Sequence, residues 1–113
     1  MTEHETLTLH RLAPVFEAHA VPAEDRRLVY GVLDALMEED CYHATAAECV
    51  AYGVLAGDVY EDLLASWGAG HHRLRPWFRQ GRAFEQAIPT ARGRSLLRDL
   101  AAVNPDWQDR SAA

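Results

Sequence analysis

The chain has 113 residues, 17 acids against 11 basic residues, and a formal charge of −6, with 49% apolar and 25% charged residues. This is the composition of one globular domain, 1–113, and it excludes wholesale disorder, a uniformly basic nucleic-acid coat and a polybasic membrane anchor. The charge is unevenly laid out: residues 1–66 carry 13 acids and three Arg, net −10, whereas 67–113 carry four acids and eight Arg, net +4. Every basic residue is Arg and none is Lys, which points to a GC-rich, bacterial genome.

The first residues, Met1-Thr2-Glu3-His4-Glu5, show neither the basic nor the apolar region of a signal peptide. No apolar run approaches the ~18 residues of a membrane span, so a cytoplasmic protein without a membrane partner is expected. Leu7, Leu9 and Leu12 mark a first segment of ambiguous period, and Pro14 opens a short helix to His19. Pro22-Ala23-Glu24-Asp25 is a helix start, with proline in the first turn and acids placed to complement the dipole. Leu28, Val29, Val32, Leu33, Leu36 and Met37 then form one apolar stripe, which ends near Glu39–Cys41.

Thr45-Ala46-Ala47-Glu48 is a capping box. The helix behind it places Ala47, Val50, Ala51, Val54 and Leu55 on one face, and its small residues predict close packing against a neighbour. Gly57 stops it. Asp58 caps the next helix, with Val59, Tyr60, Leu63, Leu64 and Trp67, and Gly68-Ala69-Gly70 breaks that one. Pro76 opens a helix through Trp77, Phe78, Phe84 and Ile88, closed by Pro89; Thr90 caps a last one with Leu96, Leu97, Leu100 and Val103. No strand signal competes. The expected fold is therefore all-α, a single compact bundle of five or six short helices. Residues 106–113 are a frayed tail from which Trp107 can dock back.

Several constellations bear on function. Cys41, His43 and Cys49 lie within nine residues and His71 follows; these are suitable zinc ligands, though without the spacing of a known zinc site. No further cofactor is expected. No nucleophile elbow or phosphate loop is present, so an enzyme is not the favoured class. Arg73, Arg75, Arg79 and Arg82 interleave with Trp77 and Phe78, residue types that dominate interface hot spots. These arginines pair either with the acidic half of the chain, with a second copy, or with an external anion, in that order of preference.

Two family resemblances follow from particular residues. Val32-Leu33-Asp34-Ala35, Tyr42-His43-Ala44-Thr45, Gly53-Val54 and Tyr60 resemble the DNA-binding unit of the TetR family, which implies a helix-turn-helix regulator. The helix that would enter the groove, Asp58–Trp67, carries three acids and no base, which places nucleic acid behind a protein partner. Leu55-Ala56-Gly57-Asp58-Val59, Leu63-Leu64, Gly68 and Leu74-Arg75-Pro76-Trp77 are similar to the small helical LigA-type subunit of extradiol dioxygenases. That resemblance implies a helical accessory protein that shapes a wall of its partner's site. The leading expectation is a small protein acting through protein–protein contacts at Arg73, Arg75, Trp77, Phe78, Arg79 and Arg82, as an accessory or regulatory subunit or by self-association. A DNA-binding regulator and a Cys/His metal protein stand behind it.

Overall fold

The computed structural model describes residues 2–39, 45–81 and 85–107. Thr2 caps α1 (Glu3–Ala18), its hydroxyl accepting from the Glu5 N–H. α1 runs as one helix straight through Pro14, where the sequence suggests a start. The missing N–H of Pro14 forfeits one bond of the ladder, but Leu12 and Phe16 on either side are buried and hold that turn to the core. Leu7, in the segment whose period is ambiguous in the sequence, is exposed; the buried spacing is Thr8, Leu12, Phe16.

Pro22 precedes a 3-10 turn, Ala23–Asp25, that runs into α2 (Arg26–Glu39). Its stripe is buried as the periodicity requires, each of Leu28, Val29, Val32, Leu33, Leu36 and Met37 being at most 2% exposed. Thr45 caps α3 (Ala46–Tyr52): its hydroxyl accepts from the Glu48 N–H and faces the Glu48 carboxylate at 3.2 Å. The face of α3 that is buried is not the alanine stripe. Ala46 and Cys49 are buried, whereas Ala47 and Ala51 are exposed and Val50 is half-buried. Cys49 lies against α2, its Sγ 3.8 Å from the Leu36 carbonyl oxygen, and a thiol contributes more apolar surface to the core than an alanine methyl.

The all-α expectation is corrected by a small sheet. β1 (Leu55–Ala56), β2 (Phe78–Gln80) and β3 (Gln86–Pro89) pair antiparallel in the order β1-β3-β2, with Leu55 opposite Ala87 and Arg79 opposite Ile88. In place of the helix expected over Pro76–Ile88, the described residues form the two antiparallel strands β2 and β3, and Phe84 lies outside the described residues. Pro76, Gly81 and Pro89 each oppose a helix, by lost donors or by backbone entropy, and strands this short leave too few residues for alternation to show. The described chain is mostly helical all the same, with five α-helices around this sheet.

α4 (Gly57–Ser66) follows β1 directly. It is ended by Gly68, which takes the left-handed conformation, and a 3-10 turn follows at His71–Leu74. Thr90 caps α5 (Ala91–Val103) by accepting from the Gly93 N–H. At Gly93 a β-carbon would sit 2.0 Å from the carbonyl oxygen of Trp77, so only glycine lets α5 lie this close to the start of β2. Val103, expected in the core, is exposed.

The start of the expected frayed tail is held. Trp107 is buried, stacks on Tyr30 at 5.6 Å, and donates from Nε1 to Asp34 at 2.8 Å. Asp106 accepts from His4 at 3.0 Å and from Thr8 at 3.4 Å. Residues 108–113 lie outside the described residues. Among the described residues no helix is long and apolar enough to cross a membrane.

Candidate functional site

Of the four residues offered as zinc ligands, Cys41 and His43 lie outside the described residues. Cys49 is sealed in the core. His71 belongs to a different cluster: its Nδ1 takes a hydrogen bond from the Tyr60 hydroxyl, and the two rings meet edge-on at 5.5 Å. Burial and then the nearby Arg75 lower the proton affinity of His71, against an opposing pull from Glu61, which favours the neutral ring. Burial pushes the Tyr60 phenol up. Among the described residues no three His, Cys, Asp or Glu side chains are placed to hold a metal ion.

The Arg–aromatic segment separates into two sets. Trp77 is 1% exposed and Phe78 0%, so neither forms part of a contact surface in the folded chain. The reason is size: each ring buries roughly 150–250 Å², and a core this small recruits them first. Phe78 leans on Tyr60, and the Arg92 guanidinium lies 4.6 Å over the Trp77 ring. Arg73 makes the expected internal pair, reaching Asp25 at 2.6 Å and the Glu24 carbonyl at 3.0 Å, and so ties the basic half to the acidic one. Arg75 and Arg79 stay exposed. Arg82 lies outside the described residues.

The alanine face of α3 that the core leaves out forms one wall of a groove. Its other wall is α5, where Ala91, Arg94, Ser95, Arg98, Ala101 and Ala102 fall on one helical face. The groove has a volume of about 630 Å³ and carries no carboxylate among its described lining. Arg94 is fixed across its end, donating to the carbonyls of Val50 at 2.6 Å and Gly53 at 3.3 Å, where the α3 dipole ends. Arg98 contacts Ser95 and its neighbour Asp99. The sequence signal for this surface is the small-residue pattern of α3; periodicity shows that the face exists, not what covers it.

A second recess, of about 480 Å³, lies among α1, α2, the end of α4 and the terminal turn, and it is acidic. Asp34 sits in its wall. Burial raises its carboxyl above the ordinary range, the Trp107 bond opposes this, and the charges of Asp106 and Glu5 add to the rise. Tyr30 is pushed up to about 12, chiefly by burial. Glu5 is bridged by Arg27 at 2.9 Å, and the same guanidinium lies 4.3 Å over the Trp67 ring. Sequence reasoning assigned no site here, because Asp34, Glu5 and Asp106 meet only through tertiary contacts.

The helix pair behind the TetR resemblance, α3 and α4, is not joined by a simple turn. β1 stands between α3 and α4 and pairs with β3 instead of forming a turn. α4 also exposes Asp58, Glu61 and Asp62. The chain matches no family model, no curated protein and no solved structure.

Proposed function

We propose that this protein works by binding a protein partner, and that the partner docks as an amphipathic helix in the groove between α3 and α5. The observation that carries this is the groove itself: two helices present a shared apolar concavity that the described residues leave uncovered. Concave apolar faces of this kind accept helices, and small side chains on both walls allow the close interaxial approach of packed helices. Charge selects the occupant. The charged groups that line the groove are Arg94 and Arg98, so the fitting helix carries Asp or Glu along one edge. A second copy docked face to face would set arginine against arginine, which disfavours self-association here. The reading keeps the role of an accessory or regulatory subunit and moves it from Trp77 and Phe78 to α3 and α5.

The test uses two labelled synthetic helices with the same Ala/Leu face, one edged with Glu and one with Lys, followed by fluorescence anisotropy. The Glu-edged helix is expected to bind about ten-fold tighter, a difference of about 1.4 kcal/mol. Ala51→Arg, which fills the groove from an exposed position, is expected to remove that binding. Equal binding of the two helices overturns the reading. So does a concentration-dependent dimer in sedimentation that Ala51→Arg dissolves.

A further inference from the structure

We infer that Arg79, carried by β2, forms the basic end of the α3–α5 groove together with Arg94, and that the groove therefore selects a helix whose carboxylates are gathered in one terminal turn and whose other end is apolar. The inference rests on the helix-docking reading above. It adds a third element to the site and a place along the docked helix for the acids.

The first ground is the approach of β2 to α5. The Thr90 N–H donates to the Trp77 carbonyl at 2.9 Å, and the Thr90 hydroxyl donates to the Pro76 carbonyl at 2.6 Å. Gly93 lies so close to that Trp77 carbonyl that a β-carbon would sit 2.0 Å from its oxygen. The start of β2 is thus held against the first turn of α5, the turn that carries Arg94. Alternation then fixes the direction of Arg79. Phe78 turns toward Tyr60 of α4, with ring centroids 5.9 Å apart. Arg79, the next residue, turns to the opposite face of the sheet with Ile88, its cross-strand partner. β1 pairs with the other edge of β3 and starts at Leu55, just past Gly53, whose carbonyl Arg94 holds at 3.3 Å. Burial lowers the proton affinity of Arg94, the Cys49 thiol opposes this, and the charge of Arg79 adds to the fall. The two guanidinium groups therefore lie within each other's field.

The second ground is how each charge is met. Arg94 donates to the Val50 and Gly53 carbonyls, so the end of α3 takes up part of its charge. Arg98 has Asp99 at 3.6 Å from its Nε. Arg79 is exposed, and no carboxylate pairs with it among the described residues. Its charge is the unspent one at the groove, and a guanidinium is suited to bidentate capture of a carboxylate.

The third ground is the contrast with the other end. α5 lines the groove from Ala91 to Ala102, a span of about 16 Å or three turns. Arg94 lies in the first of these turns. Ala101 and Ala102 lie in the last, and the exposed Val103 follows them. Asp99 meets His19 at 2.7 Å on the α1 side, and no charged side chain lines the last turn of the groove among the described residues. A docked helix therefore meets cations at one end and small apolar side chains at the other. Acids in its terminal turn face Arg94 and Arg79. Acids spread along it would be desolvated against alanine over part of the length, without a partner.

The experiment uses the full chain and two labelled synthetic helices of identical composition, followed by fluorescence anisotropy. One helix carries its Glu pair in the first turn, the other in the central turn. The end-acidic helix is expected to bind about five-fold tighter, the worth of an exposed ion pair. Arg79→Gln is expected to weaken the end-acidic helix by that factor and to leave the other unchanged. Each peptide is thus compared with itself, which cancels differences in peptide helicity. Arg79→Lys is expected to keep the preference, and Arg11→Gln, at an exposed site on α1, to alter neither binding. Equal binding of the two helices to the wild type overturns the inference and leaves the groove reading standing. An Arg79→Gln variant that loses both helices equally, or neither, does the same. Binding of neither helix to the wild type overturns the groove reading, and this inference with it. Circular dichroism of each variant excludes misfolding as the source of a loss.

Discussion

The α3–α5 groove and the arm from Arg75 to Gln80 both rest against α5 or its cap, and they invert one another. In the groove the apolar residues are outside, and the core has taken the opposite face of α3, with Cys49 and Ala46. In the arm the apolar residues are inside and the cations outside. Side-chain size accounts for both. An indole or phenyl ring returns several times the apolar area of an alanine methyl, so a small core competes for Trp77 and Phe78 and leaves Ala47 and Ala51 to the surface. An apolar residue type therefore does not by itself assign a residue to the core of a small protein.

The contrast can be broken most forcefully at Trp77. Trp77→Ala should cost about 3–5 kcal/mol by cavity formation, a large share of the roughly 5–15 kcal/mol that stabilises a domain. A urea melt with an unshifted midpoint would show that the ring is not a core anchor. Gly93→Ala should cost about 3 kcal/mol, because the new methyl meets the Trp77 carbonyl where neither backbone can easily yield. A paired comparison sharpens the α3 side. Cys49→Arg buries a charge without a partner and should cost about 3 kcal/mol or more. Ala51→Arg, two positions on but exposed, should stay within about 0.5 kcal/mol. Similar midpoints for the two would dissolve the distinction between the faces.

The smallest effect is one of pH. His71 is held below its ordinary 6.5 by burial and by Arg75, so in acid the unfolded chain binds its proton before the folded chain does. Stability should be complete above about 6.5 and should fall as pH drops through the lower folded value. His71→Gln keeps an acceptor for the Tyr60 hydroxyl and should flatten the urea midpoint over that window. A slope that survives the substitution would assign it elsewhere.

Much of the helical framework was legible in the sequence because its signals are local. The α2 stripe, the Thr45 and Thr90 caps and the break after Trp67 each depend on residues within one or two turns. The sheet was not legible, since β1 and β3 are paired across some thirty residues and neither strand is long enough to show a period. Gly81, with Pro76 and Pro89 on either side of it, was the available sign of a hairpin. Of the proposed contact residues, Arg73 was legible as an internal partner for the acidic half, but Trp77 and Phe78 were misplaced, because hot-spot residues are also core residues. The groove was half legible, in the small residues of α3. The acidic recess was not, for its carboxylates come from three separate segments.

The turn that ends in Trp107 also bears on the order in which the molecule can be completed. Asp106 meets His4 and Thr8 across 102 and 98 residues of chain, and Trp107 meets Asp34 across 73. A nascent chain can form α1 and α2 early, yet Tyr30 lacks its stacking partner until Trp107 has been added. Closing so long a loop comes late and at an entropic cost. During synthesis the acidic recess is therefore open on one side, and it gains its last wall only when nearly all of the described chain is in hand.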